Sequence, residues 1–75
     1  MNLRPDTARY IGWEEGDPLP VSVDQRYDRH IRSWVTTLLD ANGYQIGHAL
    51  FDGTRADAAA SRRFYARILA EFAAP

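Results

Sequence analysis

Between Ile31 and Phe72 the chain carries two strong local signals back to back, and together they leave few folds open. Ile31-Arg-Ser-Trp-Val-Thr-Thr-Leu-Leu39 and Tyr44-Gln-Ile-Gly-His-Ala-Leu-Phe51 are runs of strand-forming residues, separated by Asp40-Ala-Asn-Gly43. Asp at the first position of that break and Gly at the fourth suit a type I turn closed by a left-handed glycine, the bulged three-residue loop of an antiparallel hairpin. A two-residue loop on Asn42-Gly43 is the alternative. The difference matters because a one-residue slip turns every side chain to the other face. The bulged register groups Trp34, Leu38, Ile46 and Leu50; the tight one groups Ile31, Val35, Leu39, Ile46 and Leu50. Turn chemistry favours the bulged form.

The second signal follows at once. Thr54-Arg-Ala-Asp57 has the form of an N-cap with an acidic residue three positions on, near the positive end of the helix dipole. Phe64, Ile68 and Phe72 recur every four residues, flanked by Ala60, Tyr65 and Leu69, which makes one apolar stripe on a helix over about 55–73. Arg63, Arg67 and Glu71 fall on a neighbouring polar strip. The expected fold is therefore α+β: a small antiparallel sheet of two to four strands, built on the hairpin at about 31–51, with one C-terminal helix packed on one face. That helix can cover only one face. The other face keeps large apolar groups (Val35, Leu39 and Phe51 in the bulged register) and must meet Tyr10, Ile11 and Trp13, a second subunit, or a partner.

Residues 1–30 carry weaker signals. Tyr10-Ile-Gly-Trp13 reads as a short strand, Glu14-Glu-Gly-Asp-Pro18 as a break, and Leu19-Pro-Val-Ser-Val23 as extended chain confined to an edge by its prolines. Asp24 to Arg29 reads as a turn or a lead-in to the hairpin. With 75 residues in all, the chain is expected to form a single domain, a segment at 1–30 of irregular structure with one or two short strands joined to a hairpin–helix unit at 31–73.

Composition narrows the chemistry. No cysteine is present, so disulfides and thiolate metal sites are excluded, and two histidines do not supply a structural zinc site. No cofactor or metal is expected. Net charge is −1, which gives no overall pull toward nucleic acid or an anionic membrane. The basic residues are nine arginines and no lysine, a bias that suits forked pairing with carboxylates or phosphates. No apolar leader follows Met1 and no apolar run approaches membrane-spanning length, so a cytoplasmic protein is expected.

Three groups of residues could carry function. His48, with Asp52, or His30, with Asp28, could act as an oriented general base, but no nucleophile elbow, metal-ligand spacing or phosphate loop accompanies them, so no catalytic residue is assigned. Arg55, Arg62, Arg63 and Arg67 give the helix a basic side, suited to phosphates, to an acidic protein, or simply to solvent with Asp57 and Glu71 as partial counter-charges. Glu14, Glu15, Asp17, Asp24 and Asp28 make 14–28 acidic around a single Arg26. Together with Tyr10 and Trp13, residue types enriched at binding hot spots, they are the candidate partner-binding set.

The stretch from Trp34 to Ala70, with Asp40-Ala-Asn-Gly43 and Thr54-Arg-Ala-Asp57-Ala58, resembles a strand–turn–strand–helix pattern common in short bacterial and phage proteins. Small phage-encoded inhibitors, some anti-CRISPR proteins among them, share the size, the lack of cysteine and the helix-on-hairpin build. The resemblance implies a non-enzymatic protein of phage or mobile-element type that acts in a bacterial host by binding a larger nucleic-acid-handling protein complex. The alternative is a small nucleic-acid-binding module using the helix arginines and sheet aromatics. A homodimer is a further way to close the second sheet face.

Overall fold

A computed structural model describes residues 1–75. The elements run α1 (Pro5–Ile11), β1 (Ser22–Asp28), β2 (Ser33–Leu39), β3 (Gln45–Asp52) and α2 (Arg55–Ala73). The strands form one antiparallel sheet in the order β1-β2-β3, and α2 lies across one face over the middle strand. The fold is the expected α+β arrangement; its three strands fall within the two to four expected, and the short N-terminal helix replaces irregular chain.

The β2–β3 turn is the bulged form. Gly43 N–H donates to the Asp40 carbonyl (3.0 Å), Asp40 N–H donates to the Tyr44 carbonyl (2.8 Å), and Gly43 takes φ 84. The Asp40 carboxylate also accepts from Asn42 N–H and Tyr44 N–H, so it organises the loop from within. The resulting register pairs Leu38 with Ile46 and Leu39 with Gln45. Farther along, Thr36 pairs with Leu50, so β3 spends Gly47, His48 and Ala49 where β2 spends only Thr37. Two extra residues preserve side-chain parity, and Leu38, Ile46 and Leu50 accordingly share the helix-side core.

That irregularity is where α1 docks. Gly47 has φ 69, and a Cβ placed on it would lie 2.1 Å from the Ile11 carbonyl oxygen. The bulged chain also presents the His48 carbonyl to the core, where the Tyr65 hydroxyl donates to it. Tyr65, Ile68, Phe72 and Ala58 form the buried line of α2, so the stripe centres on Tyr65. Phe64 and Leu69 are only half-buried and Ala60 is exposed. Each fully buried large side chain contributes about 1.5–3 kcal/mol before entropy, and Tyr65, Ile68 and Phe72 therefore anchor the helix. Thr54 caps it as expected, its Oγ1 accepting from Asp57 N–H at 3.1 Å.

The first 28 residues depart from the sequence reading in three ways. Residues 10–13 are not a strand. Pro5 opens a helix with Asp6 in its first turn, and Gly12, at φ 80, closes it. Gly12 N–H donates to the Arg9 carbonyl (3.3 Å) and Trp13 N–H to the Ala8 carbonyl (2.9 Å), the paired bonds of a Schellman ending. Secondly, the 24–29 stretch is not a turn: Ser22–Asp28 is a regular edge strand paired residue for residue with β2. Its inward positions, Val23, Gln25 and Tyr27, meet Leu38, Thr36 and Trp34. The polar Gln25 is accommodated because its Nε2 donates to Thr36 Oγ1 (2.9 Å) and to the Ala58 carbonyl of α2 (2.6 Å). Ile31, expected inside the hairpin, sits exposed in the β1–β2 turn, because β2 begins only at Ser33.

Thirdly, the N-terminal segment does not cover the second sheet face. Ile11 and Trp13 join Leu38, Ile46, Tyr65, Ile68 and Phe72 on the helix side, and Trp13 packs edge-on against Phe72 with ring centroids 5.1 Å apart. The sheet's outer face therefore has no layer over it.

Candidate interaction surfaces

Three surfaces emerge, and they divide the sequence-derived sites differently from the chain order. The first is the outer sheet face. Strand alternation places Asp24, Arg26 and Asp28 of β1 on the side opposite Val23, Gln25 and Tyr27. In the ladder Arg26 lies opposite Val35, and Val35 opposite Phe51. Val35 is only 9 % exposed although nothing lies above it, because it sits between these two neighbours. Phe51 is 62 % exposed. Leu39, half-buried, extends the apolar strip along β2. The result is a small apolar centre fringed on the β1 side by alternating charge.

The second surface is the 14–17 turn. Asp17 N–H donates to the Glu14 carbonyl (3.0 Å), the Asp17 carboxylate accepts from Glu14 N–H (2.8 Å), and Gly16 takes φ 98. The turn is pinned by Trp13, whose Nε1–H donates to the Pro18 carbonyl at 3.1 Å. Trp13 is thus a core residue, 8 % exposed, and not a surface hot spot. Glu14 and Glu15 line a cleft of about 760 Å³ together with Leu3, Arg9, Trp13 and His48. The His48 ring packs against Gly12, where an added Cβ would lie 2.6 Å from Nε2. Asp52 does not orient His48; it accepts a 2.6 Å bond from the Ser61 hydroxyl, tying α2 to β3. Asp28 caps its own turn instead, accepting from His30 N–H at 2.9 Å.

The acidic residues therefore do not make one surface. Glu14, Glu15 and Asp17 are exposed on the turn that follows α1, whereas Asp24 and Asp28 lie on the outer sheet face. Tyr10 is exposed on the helix side, edge-on to Phe64 at 5.9 Å.

The third surface is the solvent side of α2. Arg55, Arg62, Arg63 and Arg67 are all exposed. At 100° per residue, Arg55 and Arg62 share one flank, whereas Arg63 and Arg67 point away from the sheet. Arg55 Cζ stands 5.8 Å from the Trp34 ring and Arg67 Cζ 5.7 Å from that of Phe64. No carboxylate neutralises these arginines: the single ion pair in the molecule is the exposed Arg9–Asp6, at 3.8 Å. Arg29 and Arg32, in the β1–β2 turn, add exposed charge that sequence reasoning passed over.

Of the ionisable groups, Tyr65 is clearly perturbed. Burial, and secondarily the neighbouring Tyr10, push its phenol up to about 12 from an ordinary 10.0. Its role is structural, since its hydroxyl is committed to the His48 carbonyl. No helix is long and apolar enough to cross a membrane. Comparison with protein-family models, curated proteins and solved structures finds no match for this chain. Function is therefore read from its surfaces.

Proposed function

We propose that this chain is a non-enzymatic interaction protein that works by occupying a surface on a larger protein. The observation that carries the reading is the uncovered outer sheet face, with Phe51 standing out of it beside Val35 and the charged residues of β1 along one side. An aromatic anchor with a charged fringe is the usual anatomy of a contact surface. In the form suggested by the resemblance to phage inhibitors, the protein acts in the cytoplasm of a bacterial host. Its partner is then a nucleic-acid-handling complex whose basic groove meets Asp24 and Asp28. Affinity capture from host lysate with the wild type and with Phe51→Ser tests this. A stoichiometric partner held by the wild type and lost with Phe51→Ser is the expected result. A partner held equally by both, or none at micromolar protein, overturns it.

The second reading, a nucleic-acid-binding module, draws support from the helix arginines, which have no carboxylate partners, and two of which, Arg55 and Arg67, stand over Trp34 and Phe64. Binding of that kind weakens steeply with salt as counterions are released. Gel shifts with single- and double-stranded probes at low and moderate salt separate the readings.

A further inference from the structure

We propose that β1 is a homodimerisation edge: two copies join β1 to β1 in antiparallel register about Gln25, making one continuous six-stranded sheet. This interface runs along the β1 edge and shares Asp24 with the outer-face contact proposed above; Phe51, which belongs to the outer-face contact alone, separates the two.

The sheet has two edges, and only one is open. The β3 edge is broken by the bulge at Gly47–Ala49 and approached there by the end of α1, so it cannot accept a strand along its length. β1 is the opposite case. It is seven residues long, regular and free of proline, and its ladder bonds run only to β2. That leaves a row of backbone donors and acceptors about 24 Å long facing outward.

The residues on this strand suit a second copy of itself. Antiparallel pairing about Gln25 sets Asp24 opposite the second copy's Arg26, and Arg26 opposite its Asp24, on the outer face. On the inner face it sets Val23 beside Tyr27 on both sides of the dyad. Like charges opposite one another destabilise a strand pair and opposite charges stabilise it, so this register is selected over its neighbours. Exposed apolar residues gather at the same edge. Of eight large hydrophobic side chains that stand exposed, Leu19, Val21, Tyr27 and Ile31 lie on β1 or just beyond its ends. In the antiparallel pair the Leu19–Val21 end of one copy meets the Ile31 end of the other.

The helices leave room for the join. α2 rides over β2, and two β2 strands separated by two β1 strands stand three strand spacings, about 14 Å, apart. A helix with its side chains is about 10–12 Å across, so the two α2 helices lie side by side without collision.

Charge exchange tests the interface on the full chain. The wild type is expected to dimerise in sedimentation or light scattering by roughly 100 μM, the range of a small interface. Asp24→Arg alone and Arg26→Asp alone should each weaken dimerisation by roughly ten- to a hundredfold, since both symmetric pairs become repulsive. Mixing the two variants should restore a heterodimer, because one copy then carries arginine at both positions and the other carries aspartate at both. The double variant, with the two charges exchanged in one chain, should restore the homodimer. Both positions are exposed on the outer face, and circular dichroism of each variant confirms that it is folded. A wild type that stays monomeric at that concentration overturns the proposal. So does a dimer that ignores both single substitutions, or one that is lost with Phe51→Ser.

Discussion

Gly47→Ala probes the contact on which the N-terminal third of the fold depends. Two costs combine at this position. Gly47 sits at φ 69, where an L side chain costs about 1–2 kcal/mol. The new Cβ would also lie 2.1 Å from the Ile11 carbonyl, a backbone atom that cannot swing aside. The strand must straighten or α1 must move, and α1 leads directly to Ile11 and Trp13 in the core. Loosening those two side chains forfeits a good part of about 1.5–3 kcal/mol each. A total loss of about 3–5 kcal/mol follows, against roughly 4–11 kcal/mol for the stability of a chain this size. Gly43→Ala is the control. Gly43 has a similar φ of 84 but open space around it, so it carries the conformational cost alone. Urea unfolding followed by tryptophan fluorescence measures both variants, and limited proteolysis reports whether residues 1–18 detach first. Equal midpoint shifts for the two variants would refute the close-contact argument.

Other outcomes follow from single contacts. The Tyr65 phenol, raised to about 12 in the fold against 10.0 in the unfolded chain, leaves stability complete below pH 10. Between those two values the unfolded state has lost a proton that the fold retains. Stability therefore falls by about 1.4 kcal/mol per pH unit, roughly 2–3 kcal/mol in all. Urea midpoints across that window check this, and Tyr65→Phe should remove the decline while costing about 1–3 kcal/mol through the unpaired His48 carbonyl. Thr54→Ala removes the cap on Asp57 N–H and should lower stability by about 0.5–2 kcal/mol, read from the urea midpoint. Trp13→Ala should cost about 3–5 kcal/mol, as loss of a buried aromatic does, with proteolytic nicking appearing in the 14–18 turn that Trp13 pins.

The hairpin and α2 were legible in the sequence because their determinants are local. Asp40 and Gly43 build the turn from within four residues, and Thr54 meets Asp57 N–H three residues on. The helical repeat placed Ile68 and Phe72 inward, although the deepest residue, Tyr65, ranked only as a flanking position. The helix at 5–11 also had local markers, Pro5 at its start and Gly12 at its end, but Tyr10-Ile-Gly-Trp13 resembled a strand more strongly. The acidic set was legible as composition but not as a surface, since Glu14 and Asp24 belong to different sides of the molecule.

Three features were decided only in three dimensions. β1 is polar at every other position, and its inward-facing, half-buried Gln25 is stable because Thr36 and Ala58, 11 and 33 residues away, accept its protons. No periodicity within 22–28 records those acceptors. The bulge on β3 keeps its parity by inserting two residues, which a reading of the turn alone could not register. The open face was settled by α1. Local signals placed apolar residues on both sides of the hairpin and left open which side the N-terminal segment would take. Close backbone approach at Gly47, possible because no Cβ stands there, draws Ile11 and Trp13 to the helix side and leaves Phe51 uncovered. Strand and helix propensity act within a few residues, whereas the choice of face depends on steric fit between segments more than thirty residues apart.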